Sequence, residues 1–273
     1  MEKKRLLIVT QEMEPYTEGS ELSQLVASLP KFMQDNDYEL RILMPRYGTV
    51  NERRHRLHEV VRLSGMNIIV DDDDYPLIIK VASLPNSRLQ VYFLDNEDFF
   101  KRKFVFEDDK GKPFEDNADR AAFFCKGAIE TVKKFGWAPD VILCQGWMMS
   151  LLPFYLKTAY KTEPLFENSQ IVYSVFPSDL EKQDAARFFQ KAAINNLTEE
   201  DMEAFRYEDG VSLHKGGCTY ADAITIGSET IDTDVDYLAA MQDKPMLAWK
   251  GEETFLQDNL EFFRSLTEAE VSQ

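Results

Sequence analysis

Apolar and polar positions along this chain fall into blocks whose lengths switch between those of strands and those of helices. Arg5–Thr10 (RLLIVT) is an apolar run of strand length, followed by the loop QEMEPYTEGS. ELSQLVASLPKFM comes next, with apolar residues at helical spacing. Glu39–Met44 (ELRILM) predicts a second strand that ends at Pro45. Between Val60 and Leu94 the blocks shorten to MNIIV, an acidic turn at Asp71–Asp74, PLIIKVASL, a turn at Pro85-Asn86, and RLQVYFL. Short apolar runs joined by turn residues predict antiparallel hairpins projecting from a main sheet. Asn117–Phe135 repeats apolar residues at helical spacing (Ala121, Phe124, Cys125, Ala128, Ile129 and Val132), and Gly136 stops it. Asp140–Cys144 predicts a buried strand, Trp147–Tyr160 a helix and Ser169–Phe176 a strand. Ala221–Ile226 is the last clear strand, and Glu229–Met241 reads as helical.

Strands alternating with helices imply an α/β fold, a Rossmann-like doubly wound and mostly parallel sheet with an antiparallel hairpin insertion. Residues 1–243 form one such domain in this reading. Residues 244–273 add one amphipathic helix, Glu252–Leu266, and a polar tail. No internal repeat or low-complexity linker interrupts the order.

Composition narrows the function classes. At 273 residues, with 19 Phe and 11 Tyr, the chain can bury a large core and is not a disordered protein. A formal net charge of −17 without a basic tract argues against nucleic-acid and anionic-lipid partners. No apolar run approaches the roughly 20 residues that span a bilayer. The Lys3-Lys4-Arg5 cluster precedes only a short apolar run, so no signal peptide is expected and the location reads as cytoplasmic. Cys125, Cys144 and Cys218 are far apart in apolar contexts and read as reduced core residues. Asn196-Leu197-Thr198 matches a glycosylation acceptor, which carries no meaning in the cytosol.

The loop after the first strand is the place where α/β domains bind phosphates, because backbone N–H groups and the helix dipole point at the ligand. Here it carries Glu12, Glu14, Glu18 and Glu21 and neither Lys nor Arg. Four carboxylates repel a diphosphate. Asp71–Asp74 lacks the glycine and the spaced oxygen ligands of a calcium loop and reads as a solvated hairpin tip. His55 and His58 lack a third ligand, so no metal and no cofactor is expected. Arg53, Arg54, Arg56 and Arg62 make the one basic patch, which either pairs with the chain's own carboxylates or docks an acidic partner. Neither a Gly-x-Ser-x-Gly nucleophile, a P-loop nor a Gly-x-Gly-x-x-Gly occurs.

Four segments carry a family resemblance: EMEPYTEGSELSQLVASLPKFM, LRILMPRYGTV, FEDNADRAAFFCKGAIETVKKFGWAPDVILCQGW and LHKGGCTYADAITIGSETI. In order and spacing they resemble the N-terminal half of the ADP-glucose-dependent bacterial glycogen synthases and plant starch synthases. Met44-Pro45-Arg46-Tyr47-Gly48, the Asp-Asn-x-x-Arg helix at Asp116–Arg120 and the Trp-x-Pro-Asp turn at Trp137–Asp140 are its most specific parts. The resemblance implies one half of a GT-B glycosyltransferase. The family's reaction is glucosyl transfer from ADP-glucose to the non-reducing end of an α-1,4-glucan, with retention.

Three loops depart from the family pattern. Glu18-Gly19-Ser20-Glu21-Leu22 stands where the family reads Lys-Thr-Gly-Gly-Leu, so a phosphate-binding lysine and a glycine are both carboxylates here. Gln145-Gly146-Trp147 replaces His-Asp-Trp, and Phe176-Pro177 replaces His-Asn. The chain therefore reads as a stand-alone, degenerate N-terminal half without catalytic residues, a pseudoenzyme tied to glycogen metabolism. Its ligands would be α-glucan or ADP-glucose, held by Tyr16, Arg46, Tyr47, Lys215, Gly216 and Gly217. For Lys215-Gly216-Gly217 a plain turn, and for Arg46 and Tyr47 the anchoring of a strand end, are the competing readings. A protein partner supplying a C-terminal glycosyltransferase half, and a pure interaction module, are the alternatives for the whole chain.

Overall fold

The computed structural model describes residues 3–233 and 235–268. A ten-stranded sheet grows outward in both directions from β1 (Lys4–Thr10), whose Leu6, Leu7, Ile8 and Val9 are all buried. An unbroken apolar run is what a central parallel strand needs, because both of its faces are covered. β1 leads through α1 (Glu21–Asp35) to β2 (Tyr38–Pro45), which lies parallel to it from Lys4↔Tyr38 to Val9↔Leu43. After the short helix α2 (Glu52–His55) the expected antiparallel insertion follows. β3 (His58–Glu59) and β4 (Met66–Val70) both pair with β5 (Asp73–Ser83), and β5 pairs with β6 (Gln90–Asp95). β6 then rejoins the parallel part of the sheet beside β2.

The chain next passes through α3 (Glu97–Phe100) and α4 (Asn117–Phe135) to the other side of β1. There β7 (Val141–Gln145) pairs in parallel with β1, and α5 (Leu151–Lys157) leads on to β8 (Gln170–Val175). A small antiparallel sheet intervenes, made of β9 (Lys182–Gln183), β10 (Arg206–Tyr207) and β11 (Gly210–Ser212). It encloses α6 (Ala185–Ala192) in sequence. α7 (Leu213–Tyr220), β12 (Ala223–Ile226), α8 (Asp236–Ala239), β13 (Met246–Leu247) and α9 (Glu252–Glu268) complete the order. The sheet reads β13-β12-β8-β7-β1-β2-β6-β5-β3, with β4 also on β5. Direction of growth reverses between β1 and β7. In doubly wound sheets the ligand crevice lies outside the carboxyl ends of the strands at that reversal.

Some elements differ from the sequence expectation for identifiable reasons. The helix expected over Glu229–Met241 is reduced to α8, and residue 234 lies outside the described residues. Thr230, Ile231, Thr233 and Val235 are β-branched, which disfavours helix in its first half. The helix expected over Trp147–Tyr160 divides into a 3₁₀ turn at Trp147–Met149 and α5. Only Asp71 and Asp72 form the acidic turn, with Asp71 at φ 57°, because Asp73 and Asp74 already pair with Val70 and Ile69. Asp71 is not simply solvated. It accepts hydrogen bonds from Lys191 Nζ (2.8 Å) and Gln190 Nε2 (3.0 Å), which hold its carboxyl below the usual range. The three cysteines are buried, and none of the described helices is long and apolar enough to cross a membrane.

Candidate functional site

At the reversal point the loops after β1, β7 and β8 meet around a cavity of about 160 Å³. Gln11 and Glu12 come from the first loop, Ser20, Glu21 and Leu22 from the start of α1, and Gly146 and Trp147 from the turn after β7. Phe176, Pro177 and Ser178 follow β8, and Phe106 closes the side. No lysine or arginine is among these lining residues.

The first loop folds on itself around Met13. Its carbonyl accepts the N–H groups of Tyr16 and Thr17, and Thr17 Oγ1 accepts the N–H of Met13 (2.8 Å). This turn divides the four carboxylates. Glu12 and Glu21 line the cavity, whereas Glu14 and Glu18 line hollows on the outer side of the loop. The expectation that all four meet a ligand in the crevice is therefore corrected to two. The N-terminus of α1 is occupied by the protein itself: Ser20 Oγ accepts the Ser23 N–H (3.0 Å), and Glu21 sits in the first turn against the positive end of the helix dipole. Burial raises the pKa of Glu12, while hydrogen bonds from Gln11 and Ser20 pull it down. The place where such folds hold a phosphate thus already holds carboxylates.

The turn after β7 is shaped by a pair of contacts between residues far apart in sequence. Gln11 Oε1 accepts the Met148 N–H (3.1 Å), so the Gln11 side chain bridges β1 to the turn. Gly146 has φ 90° and ψ 166°, a conformation open essentially to glycine alone. A Cβ there would lie 2.4 Å from Gln11 Oε1. The room that the side chain of residue 146 would need is filled by Gln11. Trp147 is buried, packs edge-on against Phe106 (5.1 Å) and keeps an indole N–H without a protein partner.

The loop after β8 begins in the core. Phe176 is buried and lies over Gly227, where a Cβ would come within 2.5 Å of the ring. Its carbonyl accepts from His214 Nε2 (2.9 Å), and His214 Nδ1 lies 2.8 Å from the Tyr173 hydroxyl. Burial drives His214 down to about 4, so it is neutral, and with Nε2 donating, Nδ1 is the acceptor. The sequence does not single out His214 as a site residue. The one signal for it is its place just before Lys215.

The expected substrate-binding residues lie elsewhere. Tyr16 is buried against His55 and Phe93, donates to the Ser83 carbonyl (3.2 Å), and has its pKa pushed up to about 12 by burial. Arg46 is buried 2.9 Å from an Asp95 carboxylate oxygen. Tyr47 is fully buried between Phe100 and Phe106, with its hydroxyl on Met148 Sδ (3.5 Å). Lys215 Nζ donates to the Arg206 carbonyl (2.8 Å). Gly216 and Gly217 lie inside α7, not in a turn, because the rings of Phe205 and Tyr173 press on the helix backbone there. A Cβ at these positions would fall 2.0 Å and 2.7 Å from those rings. None of the six lines the cavity.

Comparison with known proteins fits this geometry. Residues 5–242 match the family described as the starch synthase catalytic domain. The glycogen synthase of Chlorobium limicola is 37% identical over 228 residues, which cover 82% of this chain and 45% of that protein. That of Chlorobaculum tepidum is 34% identical over 247 residues, covering 90% and 49%. The chain thus spans about half the length of these relatives. Among solved structures, the catalytic domain of starch synthase IV from Arabidopsis thaliana, bound to ADP and acarbose, superposes with a TM-score of 0.65. At 18% identity, over 82% of this chain and 44% of that one, it supports the fold. The chain belongs to the starch synthase catalytic domain family.

Proposed function

We propose that this chain serves α-1,4-glucan metabolism as a glucan-binding domain that does not itself transfer glucose from ADP-glucose. The observation that carries this reading is the lining of the crevice: two carboxylates, three aromatic rings and no cation. A diphosphate brought there meets Glu12 and Glu21 with nothing to neutralise it. A neutral sugar meets the Glu12 and Glu21 carboxylates as acceptors for its hydroxyls and the part-exposed Phe106 ring for its C–H surface. Positioned polar groups supply several kcal/mol of transition-state stabilisation in transferases of this kind. The Gln145-Gly146 and Phe176-Pro177 loops offer no imidazole or carboxylate for that purpose.

Co-sedimentation tests the binding half of the proposal. The purified protein is expected to pellet with glycogen, and soluble maltoheptaose is expected to release it whereas ADP-glucose is not. Failure to pellet, or release by ADP-glucose at lower concentration than by maltoheptaose, would contradict it.

A further inference from the structure

The chain has 48 acidic side chains, yet among the described residues a compact group of arginines forms no ion pair. Arg53, Arg54 and Arg56 are exposed and form no ion pair among the described residues, and the same holds for nearby Arg62. Glu52, next to Arg53 in the chain, is committed to Lys80 (2.7 Å) and Arg46 (3.4 Å). α2 is held in place from both sides of the group. Asn51 Oδ1 accepts the Arg54 N–H (2.9 Å), and the His55 ring packs edge-on against buried Tyr16 (4.9 Å).

Two hollows flank α2 and share Arg54 and His55. One, of about 570 Å³, has apolar walls from Pro15, Ala27, Leu84 and Pro85. The other, of about 430 Å³, opens beside Tyr16 and Val105. Glu14 stands in the first and Glu18 in the second, so incoming carboxylates are favoured at the arginines and not along the hollow walls.

We propose that this face docks an extended acidic segment of another protein, with its carboxylates on Arg53, Arg54 and Arg56 and apolar side chains in the adjoining hollow. Arginine suits the role because its planar guanidinium takes a carboxylate in a bidentate manner and its stem adds apolar contact. The net charge of −17 selects against long polyanions such as nucleic acid. A short segment senses only charges within a Debye length, about 8 Å at physiological ionic strength, where the arginines dominate. The site lies on the outer side of the first loop and does not depend on whether the crevice binds glucan.

Fluorescence polarisation with a fluorescein-labelled peptide alternating glutamate and leucine tests the proposal. Saturable binding is expected. It should weaken at least about tenfold when the glutamates are replaced by glutamine, or when the protein carries Arg53→Glu, Arg54→Glu and Arg56→Glu. The peptide substitution keeps the test informative whatever the variant's stability. The proposal is overturned if the wild-type protein shows no saturable binding, if glutamine peptide binds equally well, or if a single-stranded oligonucleotide binds more tightly than the peptide. Sedimentation showing a wild-type dimer that the triple variant dissolves would overturn it too, by assigning the face to a second copy of the chain.

Discussion

Gly146→Asp, which places at this position the aspartate of the family pattern, is expected to cost about 3 kcal/mol of stability or more. Two effects add. Backbone at φ 90° and ψ 166° holds a non-glycine residue only under strain, on the order of 1–3 kcal/mol. The new Cβ also falls on Gln11 Oε1, and moving Gln11 away leaves the buried Met148 N–H without its acceptor, a further loss of about 1–3 kcal/mol. Urea denaturation measures the sum. Adding Gln11→Ser removes the side-chain clash but leaves both the backbone strain and the Met148 N–H without Gln11 Oε1, so the double variant should stay well below wild type. A Gly146→Asp protein as stable as wild type would mean that the turn adapts easily. The loss of the family's polar residue would then be a local substitution. In this structure glycine at position 146 and Gln11 instead depend on each other.

The second large effect is on pH dependence. His214 has its pKa lowered from 6.5 to about 4 by full burial, so folding favours its neutral form. Above pH 6.5 neither the folded nor the unfolded chain binds a proton there, and the stability associated with the neutral imidazole is fully present. As pH falls from 6.5 towards 4, the unfolded chain takes up a proton that the folded chain refuses, and stability declines. Over that window the loss attributable to His214 is about 3 kcal/mol. Carboxylates contribute at the acid end, so the informative quantity is the difference between wild type and His214→Gln in urea denaturation across a pH series. The wild type should lose about 3 kcal/mol more than the variant between pH 7 and pH 4. Parallel curves would show that His214 accepts a proton in place, with Phe176 and Tyr173 giving way.

Much of the fold is legible in the sequence because it depends on local pattern. RLLIVT and DVILC are unbroken apolar runs and become the central strands β1 and β7. Gly136 ends α4 at φ 59°, as a glycine after an apolar helical stretch predicts. The crevice is legible in position for the same reason, since strand, loop and helix follow one another at Arg5–Met33. Its contents are less so. Which of Glu12, Glu14, Glu18 and Glu21 face the ligand depends on the Met13-centred turn, and no spacing rule yields that turn. Gly216 and Gly217 resemble turn residues, but Phe205 and Tyr173 dictate them from other elements. His214 finds its partners 38 and 41 residues away, beyond the reach of any local signal.

The departures at Gly146 and Phe176 also acquire a physical meaning that sequence alone lacks. Gln11 fills the space beside Gly146, and Phe176 fills the space over Gly227. A larger side chain at either position therefore meets an occupied site.

The most direct measurement is incorporation of radiolabelled glucose from ADP-glucose into glycogen by the purified chain. The account predicts incorporation no greater than a heat-killed control, from protein that pellets with the glycogen in the same tube. Incorporation above that control would contradict it, and would show that a crevice lined by Glu12, Glu21, Gly146 and Phe176 still supports glucosyl transfer.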